Sequence, residues 1–373
     1  MNKTHIAFMN HALNLAERGK GRTSPNPLVG AVIVNAGKIV GEGYHQKAGE
    51  PHAEVHALRT AGEEAKGATL YVNLEPCCHW GRTPPCTESL IQAGITHVYV
   101  AHNDPNPMVS GKGIAQLEEV GITVNVGICE EEAVKLNEIY IKYMKTRYPF
   151  VILKTAMSLD GKIATSIGES RWITSEASRQ KAHELRDEVD AILVGIGTIF
   201  TDNPALTTRL PNKTGKDATR IILDSHGRTP TSAKVFNPES DADVIIAVTP
   251  QAFANNVALL KIAGAEVIVI PANEGQVCFK TLMETLGARG ITSVLVEGGG
   301  RVNSSVLASG IVDKVVCFVA PKFIGGKEAP GVFGGKGITS LADAPELDRY
   351  TITQLDRDLL IEGYFDNNVH RNN

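Results

Sequence analysis

The strongest constraint on the fold of this chain comes from three side chains that can ligate one metal ion although they lie in separate segments. They are His52, Cys77 and Cys86. Imidazole nitrogen and thiolate sulfur are common zinc ligands, and a catalytic zinc site uses three protein ligands and leaves a fourth position open. The fold must therefore bring these segments together. Glu54 lies two residues after His52, so the same site would also hold a carboxylate.

An open zinc position makes water a useful nucleophile, because a protein-bound Zn²⁺ lowers the pKa of water from 15.7 to about 7. A helix predicted from His52 places Glu54 on its first turn, within reach of the open position. A carboxylate there can carry protons between water and substrate, which is typically worth about 10²–10⁴-fold in rate. Cys86 is predicted to begin another helix, where the helix dipole favours a thiolate.

The order of these residues is typical of zinc-dependent nucleobase deaminases, whose pattern is H-x-E followed by P-C-x-x-C. Cys77 and Cys86 depart from it, because eight residues separate them instead of two. A zincin protease is one alternative, since His52 and His56 have the right spacing. In that motif, however, the Glu directly follows the first His, whereas here it stands one position later.

A purely structural zinc site is the other alternative. It would need a fourth ligand, and Cys78 or His79 could serve. Such a site would leave Glu54 without a role, so the sequence favours a catalytic site. Cys129, Cys278 and Cys317 lie in apolar surroundings and are expected to be small buried hydrophobes.

Composition narrows the class of protein. A chain of 373 residues favours two domains. A net charge of −4 without a dense Lys/Arg run weakens a nucleic-acid-binding interpretation. The polar N-terminal helix lacks the apolar core of a signal peptide, and no apolar run approaches the ~20 residues of a membrane span. We expect a cytoplasmic protein without nucleic-acid or membrane partners.

Helical and extended segments alternate along the first part of the chain. Helices are predicted over 4–18, 52–61, 87–93, 113–120 and 130–146, and strands over 29–34, 38–44, 69–73, 97–101 and 123–127. A domain boundary is predicted near Tyr148-Pro149, because proline tends to end helices. The first domain would then be 1–147 and the second 148–373.

The second part restarts with a strand over 150–155. Further strands are predicted over 191–194, 220–223, 244–248, 266–270, 293–296 and 315–319, and helices over 175–188, 252–263, 279–289 and 302–309. This alternation predicts an α/β fold with a mostly parallel sheet and helices on both faces.

Longer motifs surround the candidate zinc ligands. They are the segments 25–30 (PNPLVG), 41–56 (GEGYHQKAGEPHAEVH) and 74–86 (LEPCCHWGRTPPC). These segments resemble the bacterial family of bifunctional riboflavin-biosynthesis enzymes known as RibD, in which the long segment between the two cysteines is usual. That family joins a pyrimidine deaminase to a 5-amino-6-(5-phosphoribosylamino)uracil reductase. The resemblance implies a cytidine-deaminase-like three-layer domain, with Glu54 as the catalytic residue and one zinc ion.

The second part is similar to the reductase portion of the same family. The matching segments are 154–162, 169–174, 202–209, 223–225 and 296–301. The resemblance implies a dihydrofolate-reductase-like domain that uses NADPH. The residues implied for the cofactor are Ala156, Trp172, Thr198, Asp202, Ser225, Gly299, Gly300, Arg301, Val302, Asn303, Ser304 and Ser305. Those implied for the substrate are Ser170, Arg186, Leu206, Arg209 and Glu297.

The residues themselves support these implications unevenly. Gly298-Gly299-Gly300 follows a predicted strand and precedes a helix, which suits a pyrophosphate at a helix N-terminus; a turn needed only for packing is the alternative. Gly195-Ile-Gly197 lacks the third glycine of a dinucleotide fingerprint. Arg186 and Arg209 could bind a phosphate bidentately, although either alone could be a solvated surface charge.

We therefore predict a bifunctional enzyme. Its first domain deaminates a phosphorylated pyrimidinone, and its second reduces the ribose of the product to a ribityl chain with NADPH. Asn26, His45, Lys47 and Arg82 are candidate substrate contacts of the first domain. Partners are expected to be phosphorylated pyrimidines and further copies of the chain. The alternatives are a tRNA or nucleoside deaminase with an accessory domain, which would predict P-C-x-x-C spacing and a basic face, and a non-catalytic zinc scaffold.

Overall fold

In the computed structural model, residues 3–80, 84–211, 214–237 and 239–365 are described. The chain separates into two compact units, and one ends at Arg147 where the other begins at Tyr148. No helix of the described ranges has both the length and the apolar character needed to cross a membrane.

The first unit is a five-stranded sheet with helices on both faces. Its helices are α1 (Lys3–Glu17), α2 (Ala53–Ala61), α3 (Cys86–Gln92), α4 (Lys112–Glu119), α5 (Glu130–Leu136) and α6 (Glu138–Thr146), and its strands are β1 (Gly30–Asn35), β2 (Lys38–Tyr44), β3 (Thr69–Leu74), β4 (His97–His102) and β5 (Thr123–Val126). The strand order is β2-β1-β3-β4-β5, antiparallel at β1 and parallel from β3 to β5.

Side chains of β1 alternate between two apolar layers. Ala31 and Ile33 pack with α2, α3 and α4, whereas Val32 and Val34 pack with α1 and α5. A strand covered on both faces is expected to be apolar throughout, and every residue of β1 except its last is buried. The first unit is thus the predicted three-layer, cytidine-deaminase-like fold.

Helix α2 approaches strand β2 closely because glycines face it. A Cβ on Gly41 would lie 2.2 Å from the carbonyl oxygen of Ala57, and one on Gly43 would lie 2.7 Å from that of Ala53. Any larger residue would push the helix away. This close packing fixes the N-terminal end of α2, which carries the first candidate zinc ligand.

The single helix predicted over 130–146 is wrong, because Asn137 divides it into α5 and α6. The backbone of Asn137 leaves the helical region, with φ −104° and ψ 19°. Its side-chain amide accepts from the N–H of Leu28 at 2.8 Å and donates to the carbonyl of Leu28 at 2.9 Å. An asparagine that binds distant backbone competes with the helix it interrupts.

The second unit is a nine-stranded sheet. Its helices are α7 (Glu176–Glu188), α8 (Ile196–Asp202), α9 (Ala254–Ile262), α10 (Phe279–Ala288) and α11 (Gly300–Ala308), and its strands are β6 (Phe150–Ser158), β7 (Ala191–Gly195), β8 (Thr219–Leu223), β9 (Val244–Val248), β10 (Glu266–Val269), β11 (Ala272–Asn273), β12 (Gln276–Val277), β13 (Ser293–Val296), β14 (Lys314–Ala320), β15 (Arg349–Leu355) and β16 (Asp358–Tyr364). Strands β11 and β12 form a separate two-stranded sheet.

The large sheet has the order β10-β9-β8-β7-β13-β6-β14-β16-β15. It is parallel from β10 to β14, as predicted, and β16 and β15 add an antiparallel hairpin that the sequence did not suggest. Strand β13 inserts between β6 and β7, which precede it in the chain. Ligands of open α/β sheets bind outside the carboxyl ends of strands where the strand order reverses, so β7, β8 and β13 mark the edge at which a site is expected.

Candidate active sites

The three candidate metal ligands of the first unit meet in space. The ligand atoms of His52, Cys77 and Cys86 all lie within 4.8 Å of one another. His52 Nδ1 is 3.2 Å from Cys86 Sγ and 3.4 Å from Cys77 Sγ. One nitrogen and two sulfurs form a donor set that suits Zn²⁺ with one position left open.

Each ligand lies at or shortly beyond the end of an element. His52 is the N-cap residue of α2, Cys86 is the first residue of α3, and Cys77 follows β3. Hydrogen bonding with Cys86 holds the pKa of Cys77 at about 4. The same pairing raises the pKa of Cys86. The hydrogen-bonded pair of sulfurs therefore favours one shared negative charge over two.

Glu54 lies beside these ligands on the first turn of α2 and is 3% exposed. Burial raises the pKa of its carboxyl group, with the charge of His52 acting in the opposite direction. Its Oε2 atom has no hydrogen-bond partner among the residues that the structure describes. A buried polar atom without a partner is costly and calls for an explanation, such as a missing water or ion or a catalytic role.

The residues considered as a fourth ligand lie outside the cluster. Within the described ranges, the converging group consists of His52, Cys77 and Cys86 and does not include Cys78 or His79. Nor does it include His56, the second histidine of the zincin spacing. The geometry favours three ligands and an open position over a closed structural site.

Glu75 is a buried carboxylate near this site that the sequence reasoning missed. It is 3% exposed, and its two oxygens accept backbone N–H groups of Asp104, Gly111, Gly113 and Ile114. It therefore holds the loop before α4 against the segment that carries Cys77. Its place directly before Pro76-Cys77 was a usable signal, because a carboxylate beside a ligand often serves to position it.

His45 and Asn26 form a hydrogen-bonded pair next to His52. The rings of His45 and His52 are 5.5 Å apart between centroids. Burial lowers the pKa of His45, so its ring is neutral. Its Nδ1 lies 3.2 Å from the carbonyl oxygen of Pro51, which can only accept, so Nδ1 carries the proton. Its Nε2 must then accept from Asn26 Nδ2 at 3.1 Å, which leaves the amide oxygen of Asn26 for a ligand.

The other candidate substrate contacts of the first unit are less constrained. Lys47 is exposed. Arg82 lies outside the described residues, as do its neighbours Gly81 and Thr83.

The second unit contains a cavity of about 680 Å³ at the carboxyl ends of β7, β8 and β13. Most of the residues implied for the cofactor line it, together with one residue implied for the substrate. They are Thr198, Asp202, Ser225, Gly299, Gly300, Arg301, Val302, Ser305 and Ser170. Ala156, Trp172, Asn303 and Ser304 lie outside this lining in the described part of the chain.

The N-terminus of α11 is open to this cavity because glycines precede and begin it. A Cβ on Gly299 would meet nothing closer than Thr198 Oγ1 at 4.0 Å, whereas one on Gly300 would lie 2.7 Å from the carbonyl oxygen of Gly331. Gly299 therefore borders open space, and Gly300 is required by packing. Free N–H groups at a helix start, without side chains in the way, suit a pyrophosphate.

Two of the residues outside the lining have structural contacts. Asn303 is 2% exposed and donates to the carbonyl oxygen of Val332 at 2.9 Å, which ties α11 to the segment that covers Gly300. Trp172 is 61% exposed, and the guanidinium of Arg179 lies 4.5 Å from its ring centroid. Their assignment to the cofactor stays a prediction.

Glu297 directly follows β13 and lies at the centre of a charge cluster. Arg186 donates to both of its oxygens, at 3.0 and 2.7 Å, and Lys154 Nζ lies 3.8 Å away. Burial alone would raise the pKa of Glu297, but Arg186 and Lys154 outweigh it and hold the pKa at about 2. Arg186 Nη1 also donates to the carbonyl of Thr207 at 3.0 Å. All three guanidinium nitrogens of Arg186 therefore form hydrogen bonds within the protein, so the group is not presented to a phosphate.

Arg209, Leu206 and His183 lie beside this cluster. Arg209 is exposed, and its Nη1 donates to Thr207 Oγ1 at 2.9 Å. Leu206 is 4% exposed and adopts a left-handed backbone, with φ 54°. Such a conformation is unusual for leucine and is often found at functional sites. The outward guanidinium of Arg209 is better placed for a substrate phosphate than that of Arg186.

His183 was missed by the sequence reasoning. Its ring nitrogens lie 3.2 Å from the backbone N–H of Arg209 and 3.3 Å from Arg209 Nη2. Burial, and then the charges of Arg186 and Arg209, lower its pKa to about 4. The neutral ring can accept only one of these hydrogen bonds. Its spacing of three residues from Arg186 on one helix was a usable signal, because such residues share a face.

Both units match described families. The family described as RibD C-terminal domain matches residues 149–361. The family described as cytidine and deoxycytidylate deaminase zinc-binding region matches residues 2–102.

Full-length relatives and solved structures agree with these matches. Riboflavin biosynthesis protein RibD of Aquifex aeolicus is 47% identical over 354 residues, 95% of this chain and 96% of the relative. That of Escherichia coli is 43% identical over 91% of this chain and 93% of the relative. A structure of Acinetobacter baumannii RibD is 40% identical with a TM-score of 0.87, over 97% of this chain and 99% of that one. A Thermotoga maritima diaminohydroxyphosphoribosylaminopyrimidine deaminase/5-amino-6-(5-phosphoribosylamino)uracil reductase is 38% identical with a TM-score of 0.85, over the same shares.

Proposed function

The chain belongs to the RibD family of riboflavin biosynthesis proteins, and we propose how its two units divide two consecutive reactions. The first unit hydrolyses the amino group of 2,5-diamino-6-(5-phosphoribosylamino)pyrimidin-4(3H)-one to a carbonyl and releases ammonia. The second reduces the ribose of 5-amino-6-(5-phosphoribosylamino)uracil to a ribityl chain. A nucleic-acid deaminase with an accessory domain is not supported, because RibD relatives match the chain across both units.

The observation that carries the deaminase assignment is the buried Glu54 beside His52, Cys77 and Cys86. We propose that these three residues hold Zn²⁺, which when bound supplies the Lewis acidity that makes water nucleophilic near neutral pH. Glu54 takes a proton from the attacking water, delivers it to the ring nitrogen, and then protonates the departing amine. Its unpartnered Oε2 is the atom available for this work.

Asn26 is proposed to orient the pyrimidine. Since His45 fixes the amide of Asn26, its oxygen is presented as an acceptor for an N–H group of the substrate. This hydrogen bond would hold the ring beside Glu54 before any proton moves.

For the second unit, we propose that NADPH lies in the cavity at the carboxyl ends of β7, β8 and β13. The open backbone around Gly299 fits its pyrophosphate. Hydride transfer to C1′ of the ribose is the chemistry that NADPH supplies. Glu297, held as a carboxylate by Arg186 and Lys154, would bind hydroxyl groups of the sugar, and Arg209 would bind its phosphate.

Removal of the metal separates the two activities. Protein stripped of zinc by a chelator should lose ammonia release from the pyrimidinone, and added zinc should restore it. The same stripped protein should still oxidise NADPH when given 5-amino-6-(5-phosphoribosylamino)uracil. Ammonia release that survives complete zinc removal would contradict the proposed deaminase site.

We also propose a cytoplasmic homo-oligomer. None of the six cysteines forms a disulfide, which suits a reducing compartment.

The proposed oligomer would form through the edge of the large sheet. Strand β15 is the edge of the nine-stranded sheet, and Tyr350 and Ile352 on it are 61% and 57% exposed. An uncovered apolar edge strand favours pairing with another copy. Light scattering should give a mass above 39.9 kDa and a lower mass for Ile352→Lys; a monomeric native protein would contradict this proposal.

A further inference from the structure

The cavity of the second unit extends beyond the residues already implied for the cofactor. The loop that follows β8 adds His226 and Arg228 to its lining, next to Ser225. Strand β8 is separated by β7 from β13, and Glu297 directly follows β13. Neighbouring strands lie about 4.8 Å apart, so this loop lies roughly 10 Å along the sheet from the strand that carries the charge cluster. It would therefore meet the end of the dinucleotide that is remote from the reacting ring.

The backbone of this loop is held in place. The N–H of Gly227 donates to the carbonyl of Asp224 at 3.0 Å, and Gly227 has φ 69°, a conformation that favours glycine. The carbonyl of Ser225 accepts from the N–H and the hydroxyl of Thr249, at 3.1 and 2.8 Å. Arg228 thus follows a fixed turn.

Asp224 orients the guanidinium of Arg228. Its side chain is fully buried, and Oδ2 accepts from the N–H and the hydroxyl of Thr229 at 2.6 and 2.9 Å. Its Oδ1 has no hydrogen-bond partner among the described residues and lies 3.6 Å from Arg228 Nε. The Arg228 side chain is 51% exposed. With Nε facing the carboxylate, the two terminal nitrogens remain for a ligand.

The charge at this position matters for cofactor choice. In Rossmann folds, an acidic residue binds the adenosine ribose 2′-hydroxyl of NADH, whereas an arginine accommodates the 2′-phosphate of NADPH. The same charge preference applies to a 2′-phosphate in any fold, because an arginine attracts it and a carboxylate repels it. Here the acid, Asp224, is buried and committed to Thr229. Arg228 is the group that reaches the cavity, with the imidazole of His226 beside it.

We infer that Arg228, positioned by Asp224, binds the 2′-phosphate of the dinucleotide and makes the reductase selective for NADPH over NADH. This inference rests on the proposed dinucleotide site. Guanidinium binds phosphate through two parallel hydrogen bonds. The pyrophosphate is assigned to α11, so Arg228 supplies a second, separate anion site.

Calorimetry with adenosine fragments tests this inference apart from activity. Full-length protein is titrated with adenosine 2′,5′-bisphosphate and with 5′-AMP. The native protein should bind the bisphosphate at least tenfold more tightly. Arg228→Gln should weaken bisphosphate binding by about ten- to a hundredfold, as expected for lost charge-assisted hydrogen bonds, and leave 5′-AMP binding unchanged. Arg228→Lys should fall between them, because lysine keeps the charge and loses the paired hydrogen bonds.

The control is Arg357→Gln, an exposed arginine in the turn between β15 and β16. It should leave both affinities unchanged. Equal binding of the two fragments by native protein, or a preference that survives Arg228→Gln, overturns the inference. Loss of the preference in Arg301→Gln instead would assign the phosphate to α11 and overturn it as well. Failure of the proposed reductase is distinguishable, because neither NADPH nor NADH would then be oxidised with the uracil substrate.

Discussion

At the scale of single residues, the position of one carboxylate decides which chemistry the zinc-ligand cluster can support. Glu54 is two residues from His52 and on the first turn of the same helix, so it lies beside the metal position without being a ligand. Three ligands hold an ion, but a buried acid beside them with an oxygen left free can also move protons to and from a substrate.

Glu54→Gln is expected to keep zinc and lose ammonia release by about 10²–10⁴-fold, because glutamine preserves the shape of the side chain but cannot carry a proton. Elemental analysis gives the zinc content and an ammonia assay gives the rate. Glu63→Gln, on the short turn after α2, is the matched control and should retain full activity. Turnover by Glu54→Gln at the native rate would contradict its role.

His183 gives the stability of the second unit a dependence on pH. Its pKa is about 4 in the folded protein and 6.5 ordinarily, so folding favours the neutral ring. The resulting stabilisation is complete above pH 6.5 and is lost as the pH falls toward 4. Between pH 7 and pH 5, native protein should lose about 1 kcal/mol more than His183→Gln, after allowance for solvent screening. Chemical unfolding at both pH values measures the difference, and equal losses would contradict this assignment.

At the scale of elements, helix starts and strand ends do most of the positioning. His52 and Cys86 lie at the N-termini of α2 and α3, and the cavity of the second unit lies where β7, β8 and β13 end. In both units the sheet fixes the backbone, and short loops carry the functional groups into place. The positions of the functional groups therefore depend on how closely α2 packs in the first unit and α11 packs in the second.

The two adjacent glycines at the start of α11 have different roles. Gly300 allows the helix to pack closely against its neighbours, and Gly299 leaves the helix start open to the cavity. Gly300→Ala should lower the stability of the second unit by about 1–3 kcal/mol, because its Cβ would press on the backbone of Gly331 and Gly334. Gly299→Ala should change stability by less, since its Cβ would point into open space and its φ of −76° suits alanine. Thermal unfolding without cofactor compares them. Equal destabilisation by the two variants would mean that the close approach of Gly300 to Gly331 is not needed for the stability of α11.

At the scale of the whole molecule, local patterns and the metal-ligand motif were readable from the sequence, whereas the contacts that surround and support the sites were not. The zinc ligands, Glu54 and most strands follow from local spacing and apolar runs. The break at Asn137 depends on Leu28, 109 residues away, and the engagement of Arg186 depends on Glu297, 111 residues away. The hairpin of β15 and β16 was missed although Tyr350 and Ile352 alternate with polar residues, because nearly all of β15 is exposed and no buried apolar run marks it as a strand.

The order of the two reactions is the central claim, and one measurement tests it directly. Glu54→Gln protein is given NADPH and either the pyrimidinone or 5-amino-6-(5-phosphoribosylamino)uracil, and NADPH oxidation is followed by absorbance. We predict no oxidation with the pyrimidinone and the native rate with the uracil, because reduction requires the deaminated ring and the second unit is intact. Oxidation of NADPH with the pyrimidinone at the native rate, without ammonia release, would contradict the account.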